Sequence, residues 1–132
     1  MSEISRTNRE IARRLWRAAS QGDPEPVLEF DPEVVWRSYG ASPAAGEYRG
    51  IDAVLHYLAS TGEGVEALRS ELLDVMAGER GAVIHYRVLA KRGPKELDAQ
   101  FFLWLAIRDG VVHELTAVPF DQAANDAFWR LE

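Results

Sequence analysis

The sequence contains no cysteine among its 132 residues. Disulfide bonds, thiolate zinc sites, iron–sulfur clusters and cysteine nucleophiles are therefore excluded. The sequence also has no apolar run that approaches the length of a membrane span, and its N-terminal stretch MSEISRTNRE is polar rather than signal-like. We therefore expect a cytoplasmic protein that makes no membrane contact.

An excess of basic charge is also missing. The 15 Lys and Arg residues are outnumbered by 21 Asp and Glu residues, and the formal net charge is −6. This balance argues against nucleic acid as a partner, and it predicts that the arginine stripe of the first helix is a solvated face. The stripe consists of Arg6, Arg9, Arg13 and Arg17.

Several ligand-binding motifs are absent as well. The sequence has no phosphate-binding loop, dinucleotide glycine motif, His-x-x-x-His pair or serine-centred elbow. We therefore expect neither a metal nor a cofactor. At 14.8 kDa the chain has the size of one domain, which we place over residues 1–132.

The order of predicted elements indicates an α+β fold. Helical periodicity predicts a first helix over residues 8–21, and shorter helices are predicted over 26–30, 52–60 and 121–131. One strand is expected around Val34, Val35 and Trp36, followed by a turn-rich stretch up to Gly50. Four antiparallel strands are then predicted over 65–77, 81–91, 97–108 and 111–119.

Two turns predict how the last three strands pair. A loop at Gly93 and Pro94 sets His85 opposite Phe102 and Arg87 opposite Gln100. A two-residue turn at Asp109 and Gly110 sets Trp104 opposite Leu115 and Phe102 opposite Ala117. Because strand side chains alternate, one face is almost wholly apolar, and the other combines aromatic and polar groups. This mixed face is predicted to carry His85, Arg87, Asp98, Gln100, Phe102, Trp104, His113, Leu115 and Ala117.

A face of large aromatic and convergent polar side chains suits a pocket lining. We therefore predict that the mixed face encloses a cavity and that the apolar face lies outside, where a second copy of the chain covers it. The alternative exchanges the two faces, so that the apolar face forms the core. Phe102 and Trp104 would then lie in water.

Five segments resemble the SnoaL-like branch of the nuclear-transport-factor-2-like superfamily. They are the helix-first N-terminus, VVWRSYGASPAAGEYRGIDAV, AVIHYRVLAKRG, FFLWLAIRDGVVHEL and DQAANDAFWRL, and together they cover roughly residues 9–131. The resemblance implies a cone-shaped half-barrel, in which a curved antiparallel sheet wraps around N-terminal helices and an internal cavity. It also implies a homodimer.

The known activities of that superfamily do not transfer residue by residue. Similarity to ketosteroid isomerases would place the base at Arg37 and the two oxyanion donors at Leu15 and Trp104, and none of these residues fits its role. The His and Asp expected on the last strand of SnoaL-type polyketide cyclases are replaced by apolar residues, since that stretch reads Glu114-Leu115-Thr116-Ala117. The Asp-Arg-Asp triad of the epoxide hydrolases has no clear match.

Four residues are candidates for catalysis. His85 is predicted as an acid/base, because imidazole exchanges protons near neutral pH, although it could equally be a hydrogen-bonded structural histidine. Arg87 oriented by Asp98 would anchor a substrate oxyanion, or the two would form a simple ion pair. Arg37 would hold an anionic or carbonyl group at the cavity mouth, or it would be a surface arginine.

The aromatic residues of the helices and the mixed face are candidates for ligand binding, with plain core packing as the alternative. The predicted ligand-binding set is Trp16, Tyr57, Gln100, Phe102, Trp104, His113 and Leu115. Their chemistry suggests a hydrophobic, oxygen-bearing organic molecule.

Three hypotheses about function follow. The chain is a cofactor-free cyclase, isomerase or dehydratase that acts on a carbonyl-bearing substrate through His85. Alternatively, it is a binding or sensing module with the same pocket and no turnover. A third possibility is an interaction domain that presents its apolar sheet face to a different protein.

Overall fold

The N-terminal helix is longer than its apolar periodicity predicts. The computed structural model describes residues 1–41, 45–60 and 65–130. Helix α1 covers Glu3–Ser20, and Ser2 caps it because the Ser2 side chain accepts a hydrogen bond from the Ser5 backbone N–H. Gly22, with φ +69°, lies just beyond its end. The cap adds a polar first turn that a search for apolar spacing does not detect.

Three shorter helices follow at the predicted places. Helix α2 covers Glu25–Leu28, α3 covers Ile51–Ser60 and α4 covers Gln122–Trp129. Asp121 caps α4 by accepting a hydrogen bond from the Ala124 backbone N–H, as its place before the predicted last helix suggested.

Six strands form one curved, unclosed sheet, and the predicted α+β architecture is confirmed. Their order across the sheet is β2-β1-β6-β5-β4-β3, and every neighbouring pair is antiparallel except β1 with β6. The strands are β1 Val35–Ser38, β2 Gly46–Arg49, β3 Ala67–Gly78, β4 Gly81–Arg92, β5 Lys95–Arg108 and β6 Val111–Pro119. Strand β2 lies in the stretch expected to be only turns, because four residues beside glycines give little strand signal. Part of that stretch, residues 42–44, lies outside the described ranges.

The two predicted hairpins have different outcomes. The pairing of β4 with β5 is confirmed, since His85 faces Phe102 and Arg87 faces Gln100. The pairing of β5 with β6 is wrong by one residue, because Trp104 faces Thr116 and not Leu115.

A β-bulge causes this shift. Ala106 pairs with Glu114 while Ile107 pairs with Val112, so that His113 is an extra residue on β6. Phe102 accordingly faces Val118 and not Ala117. The turn itself is as predicted, because Asp109 and Gly110 both have positive φ, at 52° and 77°.

The prediction that the mixed face encloses the interior is wrong. Phe102 and Trp104 are 38% and 37% exposed, whereas their neighbours Leu103 and Leu105 are 7% and 0% exposed. The helices are enough to cover only one face, and covering the apolar face removes more hydrophobic surface from water. We call the helix-covered side the inner face and the opposite side the outer face.

Two clusters of buried side chains hold the helices against the inner face. The larger cluster joins α1 and α3 to the sheet through Ala12, Val54 and Leu105. The smaller cluster places Phe128 of α4 against Val88, Ala90, Leu97, Ala99 and Phe101. Tyr86 packs against both clusters, and it therefore lies where they meet.

The structure contains no helix, over its described ranges, that is long and apolar enough to cross a membrane.

Candidate functional site

Four side chains on the inner side remain only half-buried, although their neighbours are in the core. Tyr86 lies between Ile84 and Val88 on the inner face of β4, and both of these are 9% exposed or less. Ala117 is also half-buried beside a core residue, since it follows the fully buried Leu115 at the next inner position of β6. With Trp16 of α1 and Tyr57 of α3, they form a group that we call the inner aromatic site: Trp16, Tyr57, Tyr86 and Ala117.

Aromatic contacts orient the α1 side of this site. The Trp16 and Tyr86 rings are 5.4 Å apart between centroids and tilted by 46°. On its other side Tyr86 stacks with Phe101, with 5.3 Å between centroids and 12° between the ring planes. Offset rings of this kind hold one another in place, so Tyr86 presents its hydroxyl from a fixed position.

A short chain of hydrogen bonds orients the α3 side. The Trp36 indole Nε1 donates to Ser38 Oγ over 3.0 Å, and Ser38 Oγ shares a second hydrogen bond of 2.8 Å with the Tyr57 hydroxyl. The Tyr57 ring packs between Trp36 and Tyr48, at 5.6 and 4.3 Å between centroids. Ser38 at the end of β1 therefore fixes the phenol of a residue on α3.

Both phenols of the inner aromatic site stay protonated at neutral pH. Burial raises the pKa of Tyr57, and the hydrogen bond from Ser38 only partly opposes this effect. Burial also raises the pKa of Tyr86 far above its ordinary value, and the nearby Tyr57 phenol raises it further. A protonated phenol donates a hydrogen bond, and here the two donors lie close enough to influence each other.

A buried acidic side chain, that of Asp126, lies against Gly40 just beyond the end of β1. Asp126 of α4 is 7% exposed, and its Oδ1 has no hydrogen-bond partner among the residues that the structure describes. The oxygen lies against the backbone of Gly40, where a Cβ would overlap Oδ1. Gly40 also has φ +137°, a conformation that other residues rarely adopt, so glycine is needed here on both grounds.

The outer face carries the predicted acid/base, His85, within an aromatic cluster. The His85 Nε2 lies 2.8 Å from Gln100 Oε1, and the ring stacks on Phe120 at 5.3 Å and 14°. Phe102 contacts both of these rings edge-on. His85, Gln100 and Phe102 are therefore brought together as predicted, but on the outer face and away from the inner aromatic site.

Arg87 and Asp98 form a two-pronged ion pair on the same outer face. Arg87 Nε and Nη2 each donate to an Asp98 oxygen over 2.7 Å, and Nη1 lies 3.6 Å from Glu71. Hydrogen bonding and charge from Asp98 raise the pKa of Arg87, and hydrogen bonding from Arg87 lowers the pKa of Asp98. Because the donors of Arg87 are already directed at carboxylates, the ion-pair interpretation fits better than the substrate anchor.

Arg37 is also held between acids. Its Nε lies 3.3 Å from Glu47 and its Nη1 lies 3.3 Å from Glu114. Hydrogen bonding to Glu114 is the main cause of its raised pKa. The resemblance to ketosteroid isomerases predicts the base at Arg37, but the contacts of Arg37 are those of a structural arginine between three strands.

His113 lines a groove together with Trp104, and Leu115 lies in the core, so neither belongs to the inner aromatic site. His113 Nδ1 lies 3.1 Å from Asp31 Oδ2, at the side of a groove of about 1140 Å³ near the β3–β4 and β5–β6 turns. Leu115 is 0% exposed and packs in the core, which fits the alternative of plain core packing, and its ligand contact stays a prediction. The bulge at His113 explains the burial of Leu115, because it turns Leu115 to the inner face.

Of the predicted ligand-binding residues, only Trp16 and Tyr57 belong to the inner aromatic site. Tyr86, Ser38 and Asp126 were not among the residues predicted from the sequence. Tyr86 could have been found, because a residue with a polar hydroxyl interrupts the apolar alternation of β4. Asp126 gave no comparable signal, since an acid on a short C-terminal helix is usually exposed.

A metal centre has no support in the part of the chain that the structure describes, where no group of three or more His, Asp or Glu side chains is placed to hold an ion.

Comparison with known proteins gives one consistent result. The SnoaL-like domain matches residues 12–115. An uncharacterised protein of Mycobacterium tuberculosis is 30% identical over 123 residues, which cover 91% of this chain and 94% of the relative.

Two solved structures have the same fold. Bal32a, from a soil-derived mobile gene cassette, superposes with a TM-score of 0.88 and 27% identity, over 97% of this chain and 100% of Bal32a. TerC, co-crystallised with polyporic acid, has a TM-score of 0.79 and 16% identity, over 92% of this chain and 97% of TerC. The resemblance found in the sequence is therefore confirmed at the level of family and fold.

Proposed function

Since this chain belongs to the SnoaL-like domain family, a fold of ligand-binding and cyclase-type proteins, we propose that it binds a small, largely apolar, carbonyl-bearing molecule at the inner aromatic site. The observation that carries this proposal is a pair of half-buried, protonated phenols: Tyr86, whose ring lies 5.4 Å from that of Trp16, and the nearby Tyr57. Aromatic walls with a few fixed polar groups are the usual make-up of a small-molecule site.

Tyr86 is the proposed donor to the ligand carbonyl. Its hydroxyl makes no hydrogen bond to any residue in the described ranges, although the ring is fixed between Trp16 and Phe101. A hydroxyl in apolar surroundings gains most from a partner that a ligand supplies. Tyr57, which already shares a hydrogen bond with Ser38, would reinforce this donor or contact a second ligand oxygen.

The ligand body would lie against the rings. Trp16, Tyr57 and Tyr86 offer aromatic surface from two helices and one strand, and the small side chain of Ala117 packs against the same core cluster. Stacked or edge-on contacts favour a planar aromatic ligand over a branched aliphatic one. TerC, which shares the fold, was crystallised with the small organic molecule polyporic acid, and this supports the same class of ligand.

Binding is the function proposed here, and turnover by His85 stays a prediction. His85 lies on the outer face with its Nε2 directed at Gln100, so a ligand at the inner aromatic site would not contact it. The enzyme hypothesis with His85 as acid/base would need its substrate on the outer face.

We also propose that a second copy of this chain covers the outer face. Phe102, Trp104, Val118 and Phe120 are all more than a third exposed there, and large exposed apolar patches are uncommon on monomers. Arg87 and Asp98 carry opposite charges beside this patch, so two copies can meet there without an excess of like charge. The proposed homodimer is the predicted one, but its contact surface is the aromatic outer face and not the apolar face.

Calorimetric titration with 2-acetylnaphthalene tests the binding proposal. The wild-type chain is expected to bind this ketone more tightly than 2-ethylnaphthalene, which has the same rings without the carbonyl. Tyr86→Phe is expected to weaken ketone binding roughly three- to tenfold, the effect of one lost hydrogen bond, and to leave the hydrocarbon unaffected.

Tyr39→Phe is the matched control, because Tyr39 is 56% exposed and outside the inner aromatic site. Ketone affinity should not change in that variant. The proposal fails if the wild type does not distinguish ketone from hydrocarbon, or if Tyr86→Phe and wild type bind the ketone equally.

A further inference from the structure

The groove beside the β3–β4 and β5–β6 turns is separate from the inner aromatic site. Its volume is about 1140 Å³, and none of the four residues of the inner aromatic site lines it. Its walls come from the start of α1, the loop between α2 and β1, and the two turns. A groove of this volume is large enough for a small molecule, and the proposed function does not use it.

A buried amide of α1 lines this groove. The Asn8 side chain is 2% exposed, and its Nδ2 donates to the Gly78 backbone carbonyl over 2.9 Å. Because that carbonyl requires a donor, the amide oxygen Oδ1 is directed away from it. Oδ1 accepts no hydrogen bond from any residue in the described ranges, and it is not closed off from solvent. Since buried polar groups in native proteins are nearly always paired, Oδ1 is an acceptor for a donor that enters the groove.

The Trp104 indole lines the groove close to this amide. Trp104 is 37% exposed, and its Cη2 lies so near Gly81 that a Cβ at that position would be 2.8 Å from it. Gly81 pairs with Gly78, the residue whose carbonyl holds Asn8. The β3–β4 turn therefore brings an apolar ring and a buried acceptor to one end of the groove, next to Glu79.

Acidic residues outnumber basic ones around the groove. Its lining includes two arginines, Arg80 and Arg108, and six acids. The acids are Glu3, Asp31, Glu33, Glu79, Asp109 and Glu114. Only two of these acids, Asp31 and Glu114, form ion pairs within the described ranges. Glu3 and the cap at Ser2 also offset the positive end of α1. The groove therefore attracts cations.

The acids are spread along the groove and do not converge. No three of the His, Asp and Glu side chains are placed together to hold a metal ion in the part of the chain that has been described. A dispersed negative charge beside an aromatic ring suits an organic cation, whose body contacts the ring while its charge faces carboxylates.

We propose that this groove binds a primary ammonium ion that carries an apolar body. Its N–H group donates to Asn8 Oδ1 beside Glu79, and its body lies against the Trp104 indole. This inference does not rest on the proposed function, because neither the inner aromatic site nor self-association is needed for it.

Three probes separate the charge from the hydrogen bond, each measured by calorimetric titration at low salt. They are 2-phenylethylamine, 2-phenylethanol, which keeps the ring and a donor without the charge, and N,N,N-trimethyl-2-phenylethylammonium, which keeps the charge without an N–H. The wild-type chain is expected to bind the amine roughly tenfold more tightly than either relative. Asn8→Ala should bind the amine and the trimethyl compound equally. Salt at 1 M should narrow the preference for the amine over the alcohol.

Two matched pairs of variants test the other contacts. Trp104→Leu is expected to weaken amine binding roughly two- to fivefold, whereas Phe102→Leu, in the same outer patch but outside the groove, should not change it. Glu79→Gln should also weaken amine binding roughly two- to fivefold. Glu96→Gln, at an exposed position near the opposite end of β5, is its control.

The inference is overturned if the wild type does not bind the amine, or if it binds the alcohol as tightly. It is also overturned if Glu96→Gln weakens binding as much as Glu79→Gln, because the amine would then follow only the overall acidity of the protein. If Asn8→Ala does not fold, the wild type decides, since equal binding of the amine and the trimethyl compound contradicts the role of Asn8. Tyr86→Phe should bind the amine as the wild type does, which keeps this test independent of the inner aromatic site.

Discussion

Ser38 shows how one side chain sets the geometry of the inner aromatic site. Its hydroxyl accepts from the Trp36 indole and shares a hydrogen bond with Tyr57, so a strand end, an indole and a helix phenol are joined through one oxygen. Removing that oxygen leaves the part-buried Trp36 indole N–H and the Tyr57 hydroxyl without this hydrogen-bond partner.

Ser38→Ala is therefore expected to lower the free energy of unfolding by about 1–2 kcal/mol. Urea denaturation measures this change. Ser70→Ala, at an exposed position of β3, is the control and should change stability by less than about 0.5 kcal/mol. Equal stability of Ser38→Ala and wild type would show that the chain of hydrogen bonds does not hold the site together.

The Arg87–Asp98 pair predicts a dependence of stability on pH. Arg87 lowers the pKa of Asp98 in the folded chain, so the pair stabilises the fold above the ordinary pKa of aspartate, about 3.9. The contribution is lost as pH falls below that value through the lowered pKa. Between pH 5 and 7 the pair should contribute a constant amount.

The free energy of unfolding, measured by denaturation from pH 7 to pH 2.5 at low salt, tests whether the stabilisation by this pair is lost as pH falls. Wild type is expected to lose more stability below pH 4 than Asp98→Asn, and 1 M salt should narrow the difference because both groups are exposed. Parallel curves for the two proteins at low salt would contradict the assignment.

Among the elements, the bulge in β6 decides which residues belong to the core. His113 is the extra residue, and it lets both Val112 and Leu115 point inward although an unbroken strand would put them on opposite faces. The turn at Asp109 and Gly110 was readable from sequence, since two residues with positive φ favour Asp-Gly. The bulge could not be predicted from the sequence, because nothing at His113 distinguishes an extra residue from a paired one.

Leu115→Ala tests this assignment. A core position is expected to lose about 2–5 kcal/mol of unfolding free energy, whereas a pocket position would lose ligand affinity and little stability. Leu28→Ala, at a position 58% exposed, is the matched control and should cost much less. If Leu115→Ala is as stable as the control, the core assignment is contradicted and the prediction that Leu115 lines a ligand pocket is supported.

The elements themselves were largely predictable, and the site was not. Apolar spacing located α1 and α3, and glycine and proline marked the turns, because these signals are local. The choice of the buried face depends on how much surface the helices cover, which no single segment determines. Because the apolar face is the covered one, the predicted residues of the mixed face lie outside, and these include His85, Gln100, Phe102 and Trp104. Of the predicted ligand-binding residues, Trp16 and Tyr57 remain in the inner aromatic site.

For the whole molecule, the aromatic outer face predicts self-association. Phe102→Arg is expected to convert a dimer into a monomer, because two like charges would meet across a two-fold contact. Light scattering after size-exclusion chromatography measures the mass. Leu28→Arg, on α2 and away from this face, is the control and should remain dimeric. A wild type that is monomeric at micromolar concentration would contradict the proposal.

The most direct test of the central claim is a crystal structure of the chain with 2-acetylnaphthalene bound. We predict the naphthalene rings against Trp16, and the carbonyl oxygen within hydrogen-bond distance of the Tyr86 hydroxyl. A ligand seated on the outer face beside His85, or a Tyr86 hydroxyl without the carbonyl near it, would contradict the account.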